Sequence, residues 1–513
     1  MSRHARDIWV IRRSRPKRGT TPLPEILLSF NEKNFEYDVY TLVKAFFPQA
    51  KIAVVYEDEE SGEASRDMEM HVRRTTDSYV FAIREAGKEA LSCSRPVPAD
   101  AARSEQKNAL KQLVYTMLRQ VTGRELPWGD LTGIRPVRIP MDLLEAGWKN
   151  ADIARFMRET YFTNNKKTAL AIAVANREKD LLSKIEPENG YSLYVGIPFC
   201  PSICLYCSFG SHPIDRNRQL VEPYLEALHK ELEFLADAMK GQKLTAVYIG
   251  GGTPTSVEED QLKALLEKIG TGFNCYDLAE YTVEAGRPDT VTPGRLAVLK
   301  EAGVSRISIN PQTMNQKTLD RIGRRHTVEQ TIGAFDMARS AGFDNINMDL
   351  IAGLPGEGPD EMRETLEKIE KMGPDSLTIH SLALKRSSRL NYEIEEYSDS
   401  AFHNSEEIME MAGASAARMN MHPYYLYRQK NIAGNLENVG YAREGCFGIY
   451  NILIMEEKQN IMACGAGAIT KFVLGGRRIE RVANVKDVRN YIDRIDEMIE
   501  RKRSAVETYS GMK

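Results

Sequence analysis

Six apolar, strand-like runs recur between residues 193 and 382, at 193–198, 246–250, 281–285, 306–310, 346–351 and 377–382. Helical segments separate them, such as 221–239 and 359–372. That alternation predicts βα units and a parallel sheet, because a chain that crosses over a helix re-enters the sheet in the same direction. Six such units make most of a TIM-like barrel, whose chemistry sits at the C-terminal ends of the strands. The first strand runs directly into Cys200-Pro-Ser-Ile-Cys204-Leu-Tyr-Cys207. The barrel rule therefore places three thiols at the catalytic face.

Thiolate is the usual ligand of iron–sulfur clusters. Three thiolates at C-x3-C-x2-C spacing hold three irons of a [4Fe–4S] cube and leave the fourth iron open. A small chelating molecule can bind there and be reduced. Structural zinc needs a fourth nearby Cys or His, and none is well placed before His212. A thioredoxin-like reading of Cys204 and Cys207 ignores Cys200.

Other residues at the predicted strand ends suit a nucleoside ligand. Gly250-Gly-Gly-Thr-Pro-Thr255 follows the second strand, and its bare backbone lets a ligand come close to main-chain groups. Such a loop also suits the amino group of a bound amino acid. Glu284 ends the third strand, Gln312 the fourth and Asp349 the fifth. Carboxylate and amide groups there can accept or bridge ribose hydroxyls. Taken singly, each reads equally well as a solvated or capping residue. Arg324 can pair with a carboxylate, or belong to a solvated basic group that opens a helix. Further on, Tyr424-Tyr-Leu-Tyr427-Arg-Gln-Lys430 offers flat apolar faces and fixed positive charge, as do Lys385 and Arg386 after the sixth strand. These groups suit a large aromatic polyacid, or else core tyrosines beside solvated bases.

A chain of 513 residues is long enough for two or three domains. Residues 1–24 carry a crowd of arginines and lysines and read as a basic, disordered tail, an upstream extension of the reading frame or a transit peptide. Residues 25–188 read as an N-terminal α+β domain, with strands at 52–56 and 78–83, a helix at 104–121 and a linker at 186–190. The barrel core is expected at 189–390 and a mixed C-terminal, substrate-covering domain at 391–513. A net charge of −3 leaves no electrostatic footprint for nucleic acid. No apolar run reaches the length of a membrane span. Seven cysteines in so long a chain make no disulfide scaffold. A cytoplasmic, oxygen-poor setting is expected.

These motifs together resemble the radical S-adenosylmethionine (SAM) enzymes. More narrowly they resemble oxygen-independent coproporphyrinogen III oxidase (coproporphyrinogen dehydrogenase), in its longer HemZ-type subgroup. The pieces that carry the resemblance are Ile197-Pro-Phe-Cys200 with the following cysteines, 250–255, Pro311-Gln312, Ile322-Gly-Arg324-x-His326 and 349–355. Segments 126–136 and 423–441 match the subgroup. The resemblance implies a [4Fe–4S] cluster on Cys200, Cys204 and Cys207. It implies SAM contacts at Tyr194, Tyr206, Gly251, Gly252, Thr253, Glu284, Gln312, Arg324, Asp349, Ala383 and Ile469. It also implies a tetrapyrrole substrate and an electron donor such as flavodoxin or ferredoxin. In that chemistry a 5′-deoxyadenosyl radical removes hydrogen from a propionate side chain. Loss of carbon dioxide and an electron leaves a vinyl group, and two rounds give protoporphyrinogen IX. Arg386, Arg428 and Lys430 are the residues expected to hold substrate carboxylates.

The best-studied branch of the family has a fourth cysteine two residues after the third, where this chain has Phe209. Related haem chaperones also have phenylalanine there. A haem carrier without porphyrinogen turnover is therefore the alternative. Against it, the chaperones' His-Asn-x-x-Tyr-Trp element is absent, since His403-Asn404 is followed by Ser-Glu-Glu.

Overall fold

The structure is a computed structural model that describes residues 24–57, 66–383, 385, 388–392, 404–429, 432, 435–475 and 478–509. The basic segment 1–23, Arg386 and Lys430 lie outside the described residues. Two compact units divide at Met1–Arg124 and Glu125–Lys513.

The first unit carries strands β1 (Glu25–Phe30), β2 (Lys51–Tyr56), β3 (Met68–Arg74), β4 (Ser78–Glu85) and β5 (Leu91–Pro96) in the order β2-β1-β3-β4-β5. Alternation builds the sheet. Tyr79, Phe81 and Ile83 of β4 are buried at every second position, while their neighbours are half-exposed. Helix Glu36–Phe46 links the parallel pair β1 and β2. It meets helix Arg103–Thr122 through Phe46 and Tyr115, whose rings lie 5.5 Å apart.

The second unit opens with helices Arg138–Glu145, Asn150–Tyr161 and Asn165–Ile185. Then follow β6 (Gly190–Ile197), the two-residue strands β7 (Phe199–Cys200) and β8 (His212–Pro213), β9 (Lys243–Gly251), β10 (Glu280–Glu284), β11 (Arg306–Ser308), β12 (Ile346–Ala352) and β13 (Ser376–Ser381). The last five are β14 (His422–Tyr427), β15 (Asn438–Ala442), β16 (Asn460–Cys464), β17 (Ile469–Leu474) and β18 (Arg478–Ala483). Strands β6, β9, β10, β11, β12 and β13 stand side by side in sequence order, all parallel. These are the six expected βα strands, and they form the partial barrel of an α/β fold. They are apolar along most of their length because helices such as Ile214–Ala238 and Pro359–Met372 cover the outer face.

Three expected boundaries move. Residues 125–188 join the barrel rather than the N-terminal sheet. Trp128 Nε1 and Lys167 Nζ each donate to the buried carboxylate of Glu437 at 2.7 Å. The expected linker at 186–190 is a packed turn, Pro187–Asn189, whose carbonyl at Pro187 accepts from the buried Gln459 side chain. The region after 391 is no separate layer, since β15 pairs antiparallel with β13 and β16 pairs parallel with β6. An open barrel exposes two strand edges, and unpaired backbone groups there are costly. Local propensity cannot reveal which distant segments satisfy them.

Candidate active site

The cysteine loop leaves β6 at the mouth of the barrel and is held on several sides. Gly252 N donates to Ile197 O at 2.7 Å and Thr253 N to Phe199 O at 2.8 Å, tying it to the end of β9. Cys200 Sγ lies 3.4 Å from Thr253 Oγ1. On the far side Leu205 N donates to Ile322 O at 2.9 Å. Leu205 packs in a small apolar cluster with Ile322, Ile351, Leu354, Leu382 and Leu390. Arg324 Nη1 donates to Tyr206 Oη at 3.0 Å. The glycine run serves this loop. A Cβ on Gly252 would stand 2.6 Å from Phe199 O and 3.0 Å from Cys200 Sγ. Gly251 has a φ of 110°, outside the range favoured by L side chains. What approaches the bare backbone is the cysteine loop itself. Burial pushes the Cys200 thiol up to about 11, with Cys207 and Cys204 adding to the rise.

Glu284 ends β10 as expected, Gln312 follows β11 by four residues, and Asp349 lies inside β12 rather than at its end, near enough to act on Glu284. Tyr248 Oη donates to Glu284 Oε1 at 2.5 Å. Burial nevertheless lifts the Glu284 carboxyl to about 7. Asp349 accepts from Asn347 Nδ2 at 2.7 Å, and His380 Nε2 lies 3.6 Å from its other oxygen. Burial raises the Asp349 carboxyl, but His380 and Asn347 outweigh that and hold it below its usual value. Gln312 sits at φ 70°. Its backbone is fixed from both sides by Asp349 O and Ile351 N, and its buried Oε1 has no partner among the described residues. Backbone held in the left-handed region beside an unsatisfied polar atom is a pattern found at ligand sites. Tyr194 lies opposite Tyr248 in register and stacks on it at 6.3 Å. Tyr450 closes the stack, 4.6 Å from Tyr248.

The Radical SAM superfamily profile matches residues 194–369. The oxygen-independent coproporphyrinogen-III oxidase-like protein HemZ of Bacillus subtilis is 40% identical over 401 residues, covering 77% of this chain and 80% of that one. The chain belongs to this radical SAM family. The heme chaperone HemW of Bacillus subtilis is 33% identical over 308 residues, 60% of this chain and 76% of HemW. The solved coproporphyrinogen III oxidase (HemN) of Escherichia coli superposes with a TM-score of 0.48 at 21% identity, over 63% of this chain and 73% of that one.

As a radical SAM protein the chain uses a [4Fe–4S] cluster and SAM. The residues present fit both. Cys200, Cys204 and Cys207 supply three sulfurs on one short loop, close enough to influence one another's ionisation. Among the described residues they share a neighbourhood rather than a preformed metal cage. The unpartnered Gln312 Oε1 and the acidic Glu284 and Asp349 provide acceptors for a polar ligand beside that loop.

The other expected site residues differ in their surroundings. Ala383 forms an isolated bridge with Ile432 just beyond β13. Ile469 opens β17 and is 43% exposed. Arg428 is 4% exposed, and its guanidinium donates to the carbonyls of Leu131, Asn435 and Leu436 and to the Asn435 side chain. Burial lowers it to about 10. With its donors engaged, it clamps loop 126–136 instead of standing free for a carboxylate. Tyr424 and Tyr425 are likewise core residues. Sequence reasoning missed His380, Tyr248 and Tyr450, which complete the interior wall. Their signal was weak. Tyr248 and His380 sit inside apolar runs, and Tyr450 is distant in the chain.

Proposed function

We propose that this protein oxidatively decarboxylates two propionates of coproporphyrinogen III to vinyl groups, giving protoporphyrinogen IX. One observation supports it above the others: the three-cysteine loop follows the first strand of a parallel sheet whose later strands carry or lead into the acceptors Glu284, Gln312 and Asp349. The cluster and SAM, when bound, would supply one-electron reduction and a hydrogen-abstracting radical. Cys200, Cys204 and Cys207 hold the cluster. Glu284 and Asp349 would accept hydrogen bonds from ribose hydroxyls of SAM, with Asp349 oriented by Asn347 and His380. Gln312 offers its free oxygen to the same ligand. The Tyr194–Tyr248–Tyr450 wall keeps water from the interior. A four-carboxylate substrate needs cations, since a buried unpaired carboxylate is costly. Lys385 takes that part in place of Arg428. It is half-buried, burial lowers its ammonium, and its Nζ has no partner among the described residues. A flavodoxin- or ferredoxin-class protein supplies reducing electrons, and an external one-electron acceptor takes the electron released with carbon dioxide.

Phe209 favours a second reading, haem carriage without turnover. It stands 74% exposed on the cysteine loop. Anaerobic incubation of reconstituted protein with SAM, reductant, an acceptor and coproporphyrinogen III separates the two. Successive loss of one and two carboxyl groups, read by product mass, supports the oxidase. Stoichiometric haem binding with SAM cleavage and no decarboxylated product overturns it. Lys385→Met should raise the porphyrinogen KM while leaving uncoupled SAM cleavage intact.

A further inference from the structure

Arg287 has no part in the reading above, yet it touches the cysteine loop from beneath. It lies three residues after Glu284, beyond the end of β10, and is 3% exposed. Its Nη1 donates to Ser202 Oγ at 3.0 Å, to Ser202 O at 3.4 Å and to Cys204 Sγ at 3.8 Å. Nε and Nη2 each donate to one oxygen of Asp289 at 3.0 Å. All three guanidinium nitrogens are thus engaged. Burial raises the Asp289 carboxyl, but Arg287 and His326 outweigh that and keep it below the usual range. His326 is fully buried, with its Nδ1 3.9 Å from Asp289. Burial and the two arginines hold its imidazole neutral, near 3. Among the described residues Arg287 is the charged group whose donor reaches Cys204 Sγ, with Asp289 as the counter-charge behind it, while Arg324 acts on Cys204 through space.

We propose that Arg287 is a positioning residue that sets the reduction potential of the cluster held by Cys204, with Asp289 damping its effect. This rests on the proposed ligand role of Cys204. Reduction adds negative charge to the cluster and its sulfurs. Hydrogen bonds to those sulfurs and nearby positive charge stabilise the reduced form and raise the potential. Burial strengthens the effect because little water screens it. Asp289 withdraws part of the positive field, so its loss acts in the opposite direction.

The test is an EPR-monitored redox titration of anaerobically reconstituted full-length protein, with iron content measured in parallel. Arg287→Met should retain iron and lower the midpoint by at least a tenfold shift in the one-electron equilibrium, about 59 mV. Arg287→Lys, which keeps the charge, should fall between Arg287→Met and wild type. Asp289→Asn should raise the midpoint. A residue that merely braces the loop would reduce iron content and leave the midpoint of the remaining clusters unchanged, and that result overturns the proposal. If Arg287→Met holds no iron, Asp289→Asn decides, and an unchanged midpoint there is equally fatal. Wild-type protein without iron overturns the ligand assignment and this inference with it, whereas iron-replete variants with wild-type midpoints overturn this inference alone.

Discussion

Two single positions at the barrel mouth show how little freedom the site has. Gly252 lies under Cys200, with the space for a Cβ taken by a carbonyl oxygen at 2.6 Å and a sulfur at 3.0 Å. Backbone cannot yield as a flexible side chain would. Gly252→Ala should therefore displace Cys200 and lower the iron content on reconstitution, while a substitution at Gly270, which has open space around it, should not. Glu284 is the second position. Its folded carboxyl titrates near 7 against an ordinary value of 4.5. The native state thus favours the protonated form. Its contribution to stability is full below about pH 4.5 and is lost as pH rises through about 7, a swing of roughly 3 kcal/mol by linkage. Thermal melting of the SAM-free protein between pH 5 and 8 should show a fall with pH that is smaller in Glu284→Gln. Parallel melting curves for the two proteins would refute this assignment.

At the level of elements, the segment 125–188 is held to the barrel by buried polar pairs as much as by apolar packing. Helix Asn165–Ile185 places Lys167 against Glu437, with both side chains at most 5% exposed. Removing one partner leaves a buried charge without its counter-ion, at a cost of about 3–5 kcal/mol. Lys167→Met should lower the melting temperature accordingly. The conservative Trp128→Phe, which removes only the indole donor to the same carboxylate, should cost about 1–3 kcal/mol. A Lys167→Met protein that melts with wild type would show that the helix is held by packing alone. The partner of Lys167 was not legible in the sequence, because Glu437 lies 270 residues away.

Across the second unit, the C-terminal helix Ile495–Tyr509 returns to the first barrel helix. Lys502 Nζ meets Glu231 Oε1 at 2.5 Å with neither side chain exposed. Gly465 N, Asn484 Nδ2 and Tyr491 Oη also donate to the Glu231 carboxylate. This cluster anchors the turn between β16 and β17 as well as the helix. Lys502→Met should destabilise by about 3–5 kcal/mol, and adding Glu231→Gln should recover part of that loss. Unfolding midpoints of the two single variants and the double variant would measure it, and strict additivity would show that the pair is uncoupled.

The sequence by itself determined the six βα units, their order and the cysteine loop at the mouth. Strand and helix periodicity are local, and the barrel rule turns them into a position for Cys200, Cys204 and Cys207. Tertiary structure alone decided what completes the unit. The antiparallel pairing of β15 to β13, the parallel pairing of β16 to β6, the burial of Arg428 and the contact of Arg287 with Cys204 all join residues far apart in sequence. The same residue types would read identically on a solvated surface. An arginine's role depends on which oxygens or sulfurs its donors meet, and only the packed chain brings those atoms within reach.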